Sequence, residues 1–287
     1  MKKNVLITGG SGFIGSYVVD ALVENKYKVT ILDLNQPKRK DVKFIQGSIL
    51  DKSIIRSALK NINIIFHLAA VSDITKVKEI PVKTIKTNIL GTTFLLEGAR
   101  NANIDRFVFA GSIYSYGAAG NLYTTSKTAS ELIIKNYKLI YGQKFTILRY
   151  ATAYGPRNRE VDAVSIFVRR ALKNLDLIIH GNGQQKRNYV CAEDLGYGSL
   201  FALEKKATNK IITLVSKRDT KIIDLARMII KITKSKSKIF FDKKKRRLDD
   251  FTSVFSYKSN HEKNLMIWRP KYSLEKGLKK YIELKIK

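Results

Sequence analysis

The chain has 287 residues, 44% of them hydrophobic, enough for a large core in one large domain or two unequal ones. No apolar run approaches the roughly 18–20 residues that span a bilayer, and a strand begins almost at once, so neither a membrane span nor a signal peptide is expected. A formal net charge of +30 admits a polyanionic partner, but basic residues are spread along the chain and lysine abounds together with isoleucine and asparagine, as coding bias would produce, so specific nucleic-acid binding is not expected.

Asn4–Thr8 reads as a short apolar strand, followed by Gly9, Gly12 and Gly15 at three-residue spacing and an amphipathic helix over Gly12–Asn25. A strand-to-helix turn of this kind leaves unpaired backbone N–H groups at the positive end of the helix dipole, and glycine lets a pyrophosphate approach them. The next apolar run, Val29–Asp33, ends in an acid able to accept from ribose hydroxyls, which makes this stretch a candidate dinucleotide site. Further strands at Lys43–Gln46, Ile64–Leu68, Arg106–Ala110 and Phe145–Tyr150 alternate with helices at Lys52–Lys60, Val82–Ala102 and Tyr123–Tyr141. Asp51 stands where an N-cap belongs. This alternation predicts an α/β fold, a doubly wound parallel sheet with right-handed crossovers and with ligands beyond the carboxyl ends of its strands.

Beyond Tyr150 the texture changes. Gly155-Pro156 interrupts the pattern, Val164–Lys173 reads as a helix, and Leu177–His180 as a strand ending in the turn Gly181-Asn182-Gly183. Helices follow at Ala192–Lys205, Ile222–Thr233 and Leu274–Ile286, with a strand at Lys210–Val215. These predict a smaller α+β lobe closing over the first. The one cysteine, Cys191, excludes an intramolecular disulfide and fits a reducing cytoplasm; with His67, His180 and His261 scattered, no metal site is expected.

Three segments carry candidate chemistry at strand ends. His67-Leu68-Ala69-Ala70 offers small residues over which a cofactor passes closely, with His67 itself read as a packed structural histidine. Ala110-Gly111-Ser112 ends in a hydroxyl able to bond a substrate oxygen. Tyr123 and Lys127 are i and i+4 on one helical face, where an ammonium would stabilise a phenolate and lower its pKa from about 10 towards that of a general base.

Thr8-Gly9-Gly10-Ser11-Gly12-Phe13-Ile14-Gly15, Asp33, His67–Ala70, Ser112 and Tyr123-x-x-x-Lys127 resemble the extended short-chain dehydrogenase/reductases. Arg149–Arg157, Gly181–Asp194 and Trp268–Leu278 resemble their nucleotide-sugar branch, the epimerases and dehydratases. The resemblance spans nearly the whole chain. It implies a Rossmann-type NAD(P)-binding domain over 1–153 and a lobe over 154–287 for a nucleoside diphosphate sugar, with segments returning to the Rossmann sheet. NAD is the expected cofactor, because Asp33 would repel a 2′-phosphate, although Lys38-Arg39-Lys40 lies close in sequence. The implied cofactor residues are Gly9, Gly12, Phe13, Ile14, Gly15, Asp33, Ser48, Ile49, Leu68, Ala69, Ala70 and Asn88, together with Tyr123 and Lys127. Tyr123 is the implied base, Lys127 its partner and Ser112 the group that steadies the reacting oxygen. Thr152, Arg187 and Arg247 are implied substrate contacts; Arg247 reads equally as part of a solvated basic run, and Arg246 could take its place. A cytoplasmic homodimer is the expected form.

The chain departs from the family pattern at four places. Only Ala118–Leu122 separate Tyr116-Gly117 from Tyr123, where the family carries a longer loop framing the sugar. Thr152 stands for an asparagine, Ser48 for an aspartate and Asn188 for the acid after Arg187. Gly111-Ser112-Ile113 occupies the place of the Thr-Asp-Glu of a 4,6-dehydratase, without its carboxylates. The expectation is an NAD-dependent nucleotide-sugar epimerase resembling UDP-glucose 4-epimerase, working through a 4-keto intermediate. A 4-keto-sugar reductase or dehydratase is the alternative, and a non-catalytic dinucleotide sensor is the alternative from another class.

Overall fold

Apolar strands with no polar face need helices on both sides, and the computed structural model, which describes residues 3–116, 121–158, 161–242 and 265–286, has that arrangement. Its large sheet is built from β1 (Asn4–Thr8), β2 (Lys28–Asp33), β3 (Lys43–Gln46), β4 (Ile64–His67), β5 (Arg106–Ser112), β6 (Phe145–Tyr150), and then β11 (Lys210–Leu214) and β14 (Leu265–Trp268) from the second half. The order is β3-β2-β1-β4-β5-β6-β11-β14, with every neighbouring pair parallel. The register sets Thr8 beside His67, His67 beside Phe109 and Ser112 beside Tyr150, so the carboxyl ends of β1, β4, β5 and β6 form one edge.

Side-chain alternation sends Val5 and Ile7 to one face, against Val18 and Leu22 of α1 (Phe13–Glu24) and Leu195 of α8 (Ala192–Ser199). Leu6, Ile65 and Phe107 face the other way, against Ile55 of α2 (Lys52–Ala58), Leu95 of α5 (Gly91–Asn101) and Ile134 of α6 (Leu122–Tyr141). Asp51 caps α2 by accepting from the amides of Ser53 and Ile54. A third core joins α7 (Ala163–Leu172), β8 (Leu177–His180), β10 (Tyr189–Cys191), α9 (Ile222–Thr233) and α10 (Leu274–Ile286) through Phe167, Ile179, Tyr189, Ile229 and Tyr281. Three small two-stranded sheets serve this half: β7 (Thr152–Tyr154) with β10, β9 (Lys186–Arg187) with β12 (Thr220–Lys221), and β8 with β13 (Ile239–Asp242). Ion pairs link α1 to the second half: Arg157 bonds Asp20 at 2.6 Å and stacks on the Tyr17 ring at 4.3 Å. Lys280 of α10 meets Glu193 of α8 at 2.5 Å. Among the described residues no helix is long and apolar enough to cross a membrane.

Some elements differ from the sequence expectation. The helix expected over Val82–Ala102 is α4 (Pro81–Ile85), a π-helical turn (Lys86–Leu90) and α5. The carbonyl of Asn88 within that turn accepts from Thr92 Oγ1 at 2.6 Å and from Ser130 Oγ at 2.9 Å. The helix expected over Ala192–Lys205 ends at Ser199 and gives way to 3-10 turns at Leu200–Leu203 and Lys205–Ala207. Helix α3 (Ile74–Glu79) and the short strands of the second half were too brief to show a period.

His67 ties the central strands to α5. Thr92 donates to Asn88, so it accepts from His67 Nε2–H at 2.9 Å; His67 Nδ1 then accepts from the Thr8 hydroxyl at 2.7 Å. Complete burial, aided by the Lys127 charge, lowers the imidazole pKa to about 3. An unfolded histidine binds its proton near 6.5, so between those values the unfolded state holds more protons and stability is lost as pH falls. Chemical denaturation as a function of pH should show this loss at up to roughly 1.4 kcal/mol per pH unit from the one group. His67→Asn should flatten that slope, and an unchanged slope would contradict the assignment.

Candidate active site

The turn between β1 and α1 is shaped by close approach. Gly9 adopts φ 75°, and a Cβ there would lie 2.5 Å from the Ala69 nitrogen, so the ends of β1 and β4 touch backbone to backbone. A Cβ on Gly15 would fall 2.0 Å from the Gly9 carbonyl oxygen, which presses the first turn of α1 onto the loop. At Gly12 a Cβ would meet only that same carbonyl, at 3.1 Å, leaving its other side open. No side chain caps α1 and no acid stands in its first turn, so the amide end at Phe13 and Ile14 remains available to an anion. This cradle fits a dinucleotide pyrophosphate.

At the end of β2, Asp33 accepts from the amides of Ser11 and Asn35, each at 3.0 Å, which fixes its carboxylate at the mouth of the turn. Arg39 is turned elsewhere: it bonds Asp41 at 2.6 and 2.9 Å and Asp20 of α1 at 2.8 Å. Ser48 Oγ accepts from Leu50 N at 3.1 Å, and Ile49 is buried against Gly91. Leu68 N donates to Thr8 O at 2.9 Å, and Ala69 and Ala70 continue half-buried past the edge of the sheet. Asn88 bonds Val71 through both its amide groups, at 2.8 and 3.0 Å, and reaches Ser126 of α6 at 2.9 Å.

Helix α6 begins where Asn121 accepts from the Thr124 amide at 2.9 Å. That cap starts the helix so that Tyr123 and Lys127, one turn apart, face Ser112 at the end of β5. Burial pushes the Tyr123 phenol up to about 12, against the lowering effect of its hydrogen bond with Ser112. Burial brings Lys127 down to about 8, against the raising effect of Glu131. Burial is the largest influence on the phenol, and Lys127, expected to lower it, is not among the groups that shift it in this arrangement. The Lys127 ammonium donates to Ala110 O at 2.8 Å and lies 4.7 Å from the Phe109 ring centre but 6.0 Å from that of Tyr123.

Thr152 lies just past β6, its amide bonded to Asn188 O at 2.9 Å and its buried hydroxyl without a hydrogen-bond partner among the described residues. Arg187 is half-buried on β9 and donates to Lys186 O at 2.9 Å. Asn188 beside it accepts from Ser216 N at 2.7 Å and donates to Asp219 at 2.8 Å, a donation that the acid of the family pattern could not make. Pairing of β7 with β10 sets Thr152 beside Tyr189, two residues on from Arg187, which itself pairs with Thr220 of β12. Arg247 and Arg246, and most of the short loop before Tyr123, lie outside the described residues.

Sequence reasoning missed one buried pair. Glu131, one turn beyond Lys127, is bonded by Arg149 of β6 at 2.6 Å, with both side chains at most 5% exposed. The i, i+4 repeat Tyr123, Lys127, Glu131 on one helical face was the available signal.

The model of the NAD-dependent epimerase/dehydratase family matches residues 5–214. A protein of Methanocaldococcus jannaschii, provisionally assigned as a UDP-glucose 4-epimerase, is 32% identical over 97% of this chain and 97% of its own length. The UDP-N-acetyl-alpha-D-glucosaminuronate decarboxylase of Bacillus cytotoxicus is 29% identical over 99% of this chain and 98% of its own. Among solved structures, the UDP-glucose 4-epimerase of Thermotoga maritima with UDP-glucose superposes with a TM-score of 0.85 at 29% identity, covering 99% of this chain and 98% of that one.

Proposed function

Because the chain belongs to the NAD-dependent epimerase/dehydratase family, we propose that it is a nucleotide-sugar 4-epimerase acting on a UDP-sugar in the cytoplasm. The observation that carries this reading is the grouping of Tyr123 and Lys127, one turn apart on α6, with Ser112, which lies close enough to lower the phenol pKa, beside a glycine turn that fits a dinucleotide. Residues 111–116 contain no carboxylate, and the nearby Glu131 is committed to Arg149, which favours epimerisation over elimination of water.

NAD is the cofactor; when bound, it supplies a hydride acceptor and donor at the sugar carbon. The amides of Phe13 and Ile14 hold its pyrophosphate, Asp33 accepts from the adenosine ribose, and Lys127 donates to the nicotinamide ribose. Ser48, Ile49, Leu68, Ala69, Ala70 and Asn88 line the rest of that site. Tyr123 Oη takes the proton of the C4 hydroxyl and returns it after the 4-keto sugar has turned over, while Ser112 steadies the same oxygen. Deprotonating a phenol at about 12 requires the positive field of Lys127 to act on it in the loaded site. Thr152, Arg187 and Arg247 hold the nucleoside diphosphate sugar, the two arginines through their planar forks.

Incubation with a panel of UDP- and dTDP-sugars, followed by separation of the products, tests the reading. A C4 epimer formed without net NADH consumption supports it; a 4-keto-6-deoxy or decarboxylated product overturns it.

Tyr123→Phe should lower kcat about 10²–10⁴-fold with sugar-nucleotide affinity nearly intact, measured by steady-state kinetics beside calorimetry. Titration of the apoprotein should show tighter binding of NAD than of NADP, since Asp33 faces the turn and Arg39 is engaged by Asp20 and Asp41. Equal affinities would refute that preference. Helix α6 exposes Leu132, Leu139 and Ile140 at i, i+7 and i+8, an apolar stripe suited to a second copy of the chain. Analytical ultracentrifugation should find a homodimer that Leu139→Glu dissociates.

A further inference from the structure

The geometry points to the buried Glu131–Arg149 pair as a positioning device for the reaction, in which the Glu131 carboxylate keeps Lys127 charged and fixes α6 against β5; the inference rests on the proposed function. Three elements meet at this pair. Tyr123, Lys127 and Glu131 follow one another on a single face of α6, and Arg149 stands on β6 directly beside Gly111 of β5. The guanidinium grips the carboxylate through Nη2 at 2.6 Å and through Nε at 3.2 Å to both oxygens. A Cβ on Gly111 would lie 2.8 Å from Glu131 Oε1, so the carboxylate rests on the β5 backbone between Ala110, whose carbonyl holds Lys127, and Ser112, which bonds Tyr123. A shift of Glu131 would thus move both anchors of the reacting group.

The charges around Lys127 give the pair a second role. Tyr123 and Glu131 share its face of α6, neutral His67 acts on it from β4, Arg149 of β6 lies behind Glu131, and β5 presents the Ala110 carbonyl and the Phe109 ring. Burial works against the ammonium, and Glu131 is the group that offsets it. Without that carboxylate Lys127 would lose its proton at lower pH.

The test follows NAD affinity by calorimetry across the neutral and alkaline range, together with the pH profile of kcat. It compares the wild-type protein, Glu131→Gln, Glu131→Asp and the double variant Glu131→Gln/Arg149→Gln, which leaves no buried charge unpaired. The wild-type transition is expected near 8, the value set for Lys127 by its surroundings. Glu131→Gln should move it about one unit lower, whereas Glu131→Asp should keep it near the wild-type position even if kcat falls. The double variant, which removes the Arg149 charge together with the carboxylate, should move it lower by less, and it carries the comparison if the single amide variant does not fold. An unmoved transition in a folded amide variant, with only thermal stability reduced, would overturn the inference and make the pair a scaffold. Failure of both amide-bearing proteins to fold would do the same. Absence of NAD binding by the wild-type protein would instead overturn the proposed function, and the inference with it.

Discussion

Two missing Cβ atoms set the geometry on which the rest depends. With a side chain at Gly9 or Gly15, the end of β1 could not touch Ala69 and α1 could not settle onto the loop. The contact brings the first and fourth strands to a common height, and the in-register parallel ladder passes that height to Ser112 and Tyr150. Asp33 strengthens the arrangement by bonding Ser11 within the turn itself. The candidate cofactor cradle and the candidate reacting group are therefore parts of one edge.

Behind that edge lies a layer of polar side chains, each with a definite partner. Thr8, His67, Thr92 and Asn88 run from β1 through β4 into α5 and the π-helical turn; Ser126 and Ser130 continue into α6. Buried polar groups that are fully paired specify one arrangement rather than a family of similar ones. Here they specify the pitch at which α6 presents Tyr123 and Lys127 to Ser112.

Much of this was legible in the sequence, for reasons that can be traced to particular residues. Near-continuous apolar strands announced a parallel sheet, Asp51 announced the start of α2, and the i, i+4 spacing of Tyr123 and Lys127 put both on one face. The π-helical turn was hidden because its cause is tertiary: the Asn88 carbonyl is claimed by Ser130, 42 residues away. Two- and three-residue strands such as β7, β9 and β12 have no period to read. The electrostatic balance was hidden too. Spacing showed that Lys127 is near Tyr123, but only the packing showed that burial raises the phenol and that the ammonium is drawn to Ala110.

The salt links on the outer face of α1 bear on how the two halves are joined. Arg157 grips Asp20 and covers the Tyr17 ring just after the strand that carries Thr152, while Arg39 grips the same Asp20 from the loop after β2. Meanwhile β11 is laddered to β6 along five residue pairs. A jaw opening near residue 153 would have to tear that ladder and strip Asp20 of a partner at once. The second half is thus joined to the first through a shared sheet as well as through side chains on its surface.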